Sequence, residues 1–332
     1  METFSGLSPD RAIVVTGAAG FIGSYLCGFL NRAGFSRLIL VDDFSHPAKA
    51  PNLSGKAFLQ QIERTHFETW LRGTDLDIQA IFHLGARTDT TEMDYEVHRV
   101  LNLEYSKMVW RLCAERGCAL LYASSAATYG AGEHGYDDNH AVVQNLRPLN
   151  PYGQSKQDFD EWALAQPSYP PFWAGVKFFN VYGPNEYHKG RMASVVFHAI
   201  QQIRETSSMK LFRSHRPDFA DGAQSRDFIH VDDVVRICFY LLNSQPASGL
   251  YNVGSGVARS FNDLAAAVFS ALGVPANIAY IDTPADIRDT YQYFTQARMD
   301  KLRAVGYDAP IRSLETGITN YVQAYLQGGL YF

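Results

Sequence analysis

Residues 12–23 read AIVVTGAAGFIG. An apolar run rich in β-branched residues passes directly into Gly17, and glycines recur at Gly20 and Gly23. Beyond them Phe21, Ile22, Tyr25, Leu26, Phe29 and Leu30 repeat at helical spacing until Gly34. The order is strand, tight turn, helix. Such a turn leaves the first N–H groups of the helix free to face a diphosphate. The GxxGxxG spacing is weak by itself, because a chain with 26 glycines produces it by chance about one time in six. Its place between a strand and a helix gives it force, and an ordinary strand–helix turn is left about one chance in ten.

Working outward, Leu38–Val41, Ala80–Leu84, Leu120–Ala123 and Trp173–Phe179 read as further buried strands, with helices over Leu103–Glu115 and Gln154–Ala165. Strand and helix in alternation predict an α/β fold, a Rossmann-type doubly wound parallel sheet. After Asn180 the alternation breaks down, and Gly, Pro and Ser cluster between Ser207 and Ser225. Phe228–Val231 and Leu250–Val253 are expected to return to the sheet. The reading is therefore a dinucleotide-binding domain of residues 1–179 and 226–258, interwoven with a smaller α/β substrate lobe of residues 180–225 and 259–332.

Composition narrows the partners. The chain has 332 residues, 46% hydrophobic and 19% charged, with a net charge of −5. That is enough for one large or two modest domains with a full core. No basic tract interleaves with aromatics, which argues against nucleic acid. No apolar run reaches the roughly 18 residues of a membrane span, and METFSGLSPDR lacks the features of a signal peptide. Cys27, Cys113, Cys118 and Cys238 form no CxxC pair and read as reduced core thiols of a cytoplasmic protein. The histidines show no metal-ligand spacing.

Chemistry concentrates at strand ends. Asp42 and Asp43 close the second strand, where a carboxylate accepts hydrogen bonds from a ribose and favours NAD. Lys49, seven residues on, suits a 2′-phosphate and tips the reading toward NADP; a solvated loop lysine is the equally weighted alternative. Tyr152 and Lys156 form YxxxK on one helix face. An ammonium there is expected to lower the phenol from its ordinary value of about 10 toward one useful for proton transfer. With 19 tyrosines, one such pair arises by chance in about half of such chains, so position carries the argument. Ser125 follows the strand LLYA at the edge where ligands bind, ready to hold a substrate oxygen, with a helix cap or turn as its plainer role. Phe212 between Lys210 and Arg213 suits stacking on a base, Arg226 suits a diphosphate, and His198 in an apolar helical stretch is as readily a core histidine.

VTGAAGFIG, ASSAATYG and PYGQSK together resemble the extended short-chain dehydrogenase/reductase superfamily, the NAD-dependent epimerases and dehydratases, over nearly the whole chain. Within it, YASSAATYG (122–130), FFNVYGPNEYHKGRMASVVFH (178–198), KLF (210–212), RDFIHVDDV (226–234) and YQYFTQA (291–297) resemble the ADP-L-glycero-D-manno-heptose 6-epimerases. The resemblance implies a tightly bound NADP or NAD, an ADP-heptose substrate and a homo-oligomer, a pentamer in the family pattern. It places Ser125, Tyr152, Lys156 and Lys189 in the reaction centre. It puts Phe21, Ile22, Asp42, Asp43, Lys49, Arg64, Leu84, Gly85, Ala86, Asn102 and Val181 at the cofactor. It puts Asn180, Arg191, His198, Phe212, Arg213, Ser214, Arg226 and Tyr291 at the sugar nucleotide. Four features depart from the pattern. Leu84 stands where an acid is frequent, Asp43 where Asn is frequent, and Arg191 where a small hydroxyl residue is usual. The stretch RSHRPDFADGAQS is longer than usual.

The implied chemistry is oxidation at C6 of the heptose, rotation of the transient carbonyl, and reduction from the other face, with Tyr152 and Lys189 as the two proton-transfer groups. A nucleotide-sugar 4-epimerase would share Ser125, Tyr152 and Lys156 without needing Lys189. A 4,6-dehydratase would need acids where Ala126 and Ala127 stand. A non-catalytic cofactor-binding regulator would need no proton relay.

Overall fold

A computed structural model describes residues 6–284, 288 and 291–332. Its centre is a seven-stranded, all-parallel sheet ordered β10-β6-β5-β4-β1-β2-β3. The strands are β1 (Ala12–Thr16), β2 (Leu38–Asp42), β3 (Gln60–Glu63), β4 (Ile78–His83), β5 (Ala119–Ser125), β6 (Trp173–Phe178) and β10 (Gly249–Val253). Every residue of β1, β2 and β4 is buried, because helices cover both faces. Side-chain alternation divides β1 between two cores. Ile13 and Val15 pack with α1 (Phe21–Arg32) and α7 (Val231–Ser244). Val14 packs on the other side with α2 (Phe67–Gly73), α4 (Tyr105–Arg116) and α5 (Pro151–Leu164). The short helix α3 (Tyr95–His98) precedes α4.

A second core is built by α6 (Val195–Thr206) and α8 (Phe261–Leu272). Val196, Ile200 and Ile203 of α6 meet Leu264, Ala265 and Val268 of α8. Beside it lie a three-stranded sheet, β11 (Ala258–Ser260), β9 (Ser225–His230) and β7 (Asn180–Tyr182), and a pair, β12 (Ile278–Ile281) with β8 (Met209–Phe212). The strand expected at Phe228–Val231 does not return to the main sheet. Its residues form β9, between β7 and β11. Two contacts hold it there. The Asp227 carboxylate accepts the N–H groups of Ser255, Gly256 and Ala297. His230 caps α7 through Asp232 N–H, so the helix starts at Val231. Leu250–Val253 does return, as β10 beside β6. No helix among the described residues is long and apolar enough to cross a membrane.

Candidate active site

The carboxyl edge of the sheet changes winding direction between β1 and β4, the position at which doubly wound folds bind ligands. The glycines there are required by contact. Gly17 has φ 68°, and a Cβ on it would stand 2.7 Å from the Gly85 backbone. A Cβ on Gly23 would stand 2.1 Å from the Gly17 carbonyl oxygen. The first helix therefore starts tight against the end of β1, and its N-cap, Gly20, offers no side-chain acceptor to its free N–H groups. Asp42 braces the loop by accepting Ala19 N–H at 2.8 Å.

A cleft of about 550 Å³ opens above this cradle. Its walls bring together most of the expected cofactor residues: Gly17, Gly20, Phe21, Ile22, Gly23, Asp42, Asp43, Lys49, Arg64, Leu84, Gly85 and Ala86. At the adenosine end Lys49 Nζ lies 2.9 Å from Asp42, and Arg64 and His46 each lie 3.5 Å from Asp43. The hydroxyl and N–H of Ser45, both donating to Asp43, hold its carboxyl below the ordinary range. The size, free helix N-terminus and side-chain-free floor fit a dinucleotide. Of the residues expected at the cofactor, Tyr152 and Lys156, also expected in the reaction centre, lie beside this wall, and two others lie off it. Asn102 is buried, donating to the Arg87 carbonyl and Ser155 Oγ while accepting Arg87 N–H, so it braces the loop behind the cleft. Val181 packs against the first core. His46, Arg87, Thr88, Asp89, Tyr105, His188 and Met192 also line the cleft, unforeseen from sequence. Only His188, adjoining Lys189 in HKG, carried a local signal.

Beside the cleft, Ser125 ends β5, and α5 starts with Asn150 as a side-chain cap, accepting Gly153 N–H, and Pro151 in its first turn. That start sets Tyr152 and Lys156 one turn apart, with the Tyr152 phenol beside Ser125. Ser125 also fulfils its plainer role, accepting Ala127 N–H at 3.1 Å. The expected lowering of the phenol does not occur: burial pushes Tyr152 above its ordinary value. The ammonium does not offset this. Lys156 Nζ donates to the Ala123 carbonyl at 2.9 Å, and burial lowers its own pKa to about 8, opposed by Asp160. Asp160 is itself fully buried with Lys177, 2.7 Å away, and accepts the hydroxyls of Tyr122 and Ser124.

A different element delivers Lys189. It rides the turn after β7 and lines the cleft, its ammonium 5.6 Å from the Phe21 ring centroid. Burial lowers its pKa and the charge of Glu186 opposes that. Arg191, also on the wall, reaches across the cleft mouth to the Thr91 hydroxyl and to within 3.5 Å of Asp89. His198 is exposed rather than a core residue, with Nε2 3.3 Å from the Arg191 carbonyl oxygen.

The remaining expected substrate residues lie on the smaller sheet, on the β8–β12 pair and in the loops beside them. Phe212 and Tyr291 meet edge-to-face at 5.9 Å, and the buried Arg226 guanidinium lies 5.4 Å over the Tyr291 ring. Arg226 donates to the carbonyls of Ser225 and Gln292. Arg213 turns toward Asp221 and Asp282, and Ser214 is folded into the long loop by Asp221 and Arg216. Asn180 is exposed at the start of β7.

The profile of the NAD dependent epimerase/dehydratase family matches residues 13–254. The chain belongs to that family. The family is NAD dependent, which gives the chain a nicotinamide cofactor. The chain is 44% identical over 324 residues to the ADP-L-glycero-D-manno-heptose-6-epimerase of Fusobacterium nucleatum, covering 95% of this chain and 98% of that protein. It is 46% identical over 315 residues to the enzyme of that name from Nitratidesulfovibrio vulgaris, covering 94% and 97%. The crystal structure of the Helicobacter pylori ADP-L-glycero-D-manno-heptose-6-epimerase superposes with TM-score 0.78 at 27% identity, over 95% of this chain and 96% of that one.

Proposed function

We propose that the protein inverts C6 of the heptose in ADP-D-glycero-D-manno-heptose, an ADP-glyceromanno-heptose 6-epimerase supplying the heptose precursor of the lipopolysaccharide core. The observation that carries this reading is Lys189: a second amine, delivered on its own loop, on the wall of the cofactor cleft. Inversion needs proton transfer at two faces of one carbon, and Lys189 supplements the set of Ser125, Tyr152 and Lys156. When bound, the nicotinamide accepts the hydride of C6 and returns it. Tyr152 and Lys189 do the proton work: one takes the hydroxyl proton as C6 becomes a carbonyl, and the other protonates the oxygen after the carbonyl has turned. Lys156, charged below about pH 8, sits one helical turn from Tyr152 with its ammonium held by the Ala123 carbonyl. Ser125 holds the reacting oxygen.

The nucleotide lies toward the second lobe. Arg226 clamps the diphosphate, and Phe212 with Tyr291 takes the adenine. Asn180, Arg191, His198, Arg213 and Ser214 complete the contacts to the sugar nucleotide. The cofactor is NADP. Lys49 and Arg64 offset the charges of Asp42 and Asp43, which supports room for a 2′-phosphate beside two carboxylates. The protein acts in the cytoplasm as a homo-oligomer, a setting in keeping with four buried, unpaired cysteines.

The test is incubation with ADP-D-glycero-D-manno-heptose or UDP-glucose, followed by NMR at C6 and C4. Inversion of C6 in the first alone is the predicted result. Inversion of C4 in UDP-glucose replaces the reading with a 4-epimerase. Mass spectrometry of the cofactor released on denaturation distinguishes NADP from NAD.

A further inference from the structure

The turn that carries Lys189 is closed by a carboxylate absent from any role so far. Glu186 follows Asn185, whose φ is 78°, and its side chain is completely buried. One oxygen accepts Gly183 N–H at 3.2 Å and the Ser194 hydroxyl at 2.8 Å, and the other accepts Ser194 N–H. Residues 183 and 194 are thus drawn onto a single side chain, and the ten residues between them become a loop with Lys189 in its middle. The backbone repeats the pattern, with Lys189 N–H donating to the Glu186 carbonyl at 3.0 Å. Asn185 fastens the loop to the cofactor lobe: its amide donates to Ser24 on α1, and its carbonyl accepts the Asn52 amide. Lys189 consequently faces Phe21 of the glycine loop.

A carboxylate removed from water is costly unless it is hydrogen-bonded and compensated. Glu186 has three donors, and the positive charge that acts on it is that of Lys189. The compensation is mutual, since Glu186 is the charge opposing the burial of Lys189. Tyr187 and, from the helical turn of residues 321–326, Tyr321 also face Glu186, and burial holds both phenols far above their ordinary values. Across the cleft Lys189 looks onto Asp42, Asp43, Lys49, Arg64, Arg87 and Asp89, with His188 and Arg191 beside it on its own loop.

We propose that Glu186 is a positioning residue for epimerisation: its buried carboxylate closes the 183–194 loop and supplies the internal counter-charge that keeps Lys189 in place as a proton-transfer group. This rests on the role of Lys189 given above, so the test has one arm that is independent of turnover. Lys189 in the cofactor-loaded protein is acylated with acetic anhydride across a pH series, and its modification is read by mass spectrometry of the corresponding peptide. With Glu186→Gln, close in shape but uncharged, the midpoint is expected about one pH unit lower than in the wild type, or about tenfold faster acylation below it. Glu186→Asp restores the midpoint, as a role of charge demands. In the second arm, the pH profile of kcat shifts with the midpoint in Glu186→Gln. An unchanged Lys189 midpoint in a Glu186→Gln protein that melts normally and retains its cofactor overturns the proposal. A displaced midpoint with an unmoved kcat profile upholds the coupling of Glu186 to Lys189 and overturns the two-group mechanism instead. Should Glu186→Gln not fold, Lys189→Met is compared with the wild type. The loss of Tm is expected to be larger at neutral pH than in acid, because a protonated Glu186 needs no counter-charge. Equal losses at both pH values overturn the proposal.

Discussion

Tyr152, Lys156 and Lys189 carry the proposed chemistry, and burial acts on all three in the same sense, against the charged form. Lys156 has the best-defined consequence. Its folded pKa lies at about 8 against an ordinary 10.5, so it is charged below about pH 8 and neutral above. As it discharges, the positive charge one helical turn from Tyr152 is lost. The pH profile of kcat/KM should therefore fall as pH rises through about 8; a flat profile from about pH 7 to about pH 10 contradicts this. Tyr152→Phe removes a proton-transfer group and should lower kcat about 10²–10⁴-fold while cofactor remains bound, as checked by absorbance of the purified variant. At this scale the sequence was informative about identity and misleading about ionisation. YxxxK set Tyr152 and Lys156 one turn apart, yet spacing along a helix cannot reveal that the Lys156 ammonium turns to the Ala123 carbonyl or that desolvation outweighs a neighbouring charge.

At the scale of elements, the turn from β1 into α1 tolerates little change. In Gly23→Ala the added carbon would meet the Gly17 carbonyl oxygen at 2.1 Å, an atom of the backbone that cannot yield without opening the cradle. The variant should purify with little or no cofactor, and retention at the wild-type ratio by mass spectrometry would show that the loop adapts. Behind the serine strand, Lys177 of β6 and Asp160 of α5 form an ion pair without solvent contact. Lys177→Met leaves the Asp160 carboxylate buried and uncompensated, with an expected loss of about 3–5 kcal/mol in urea unfolding. A loss below about 1 kcal/mol would place water at that carboxylate. The strands β1, β2, β4, β5 and β6 were legible because residues buried on both faces must be apolar in an unbroken run. β7, β8, β11 and β12 were not, and β9 was legible as a strand but not as a member of the smaller sheet, where distant partners hold it: Asp227 gathers N–H groups from Ser255, Gly256 and Ala297, and no local pattern announces it.

On the reading proposed above, the molecule brings two regions to one ligand. The glycine loop belongs to the main sheet, while Phe212, Arg226 and Tyr291 lie with the smaller sheets, remote from that loop in sequence. Phe212→Ala should raise KM more than it lowers kcat, since stacking remote from C6, on the order of 1–3 kcal/mol, contributes equally in ground and transition states. An unchanged KM would make Phe212 a packing residue for Tyr291. The wider site was legible through motifs, which placed Lys189 and Arg191 in the cleft, but motifs could not supply His46, Arg87 or Asp89, which enter through the course of the chain around the fold. The central claim is that Lys189 moves a proton, and kcat together with ligand Kd for Lys189→Ala tests it most directly. The account predicts kcat reduced about 10²–10⁴-fold with cofactor and sugar-nucleotide Kd near the wild-type values. A preserved kcat at saturation with weakened binding would contradict it and leave Tyr152 as the sole proton-transfer group.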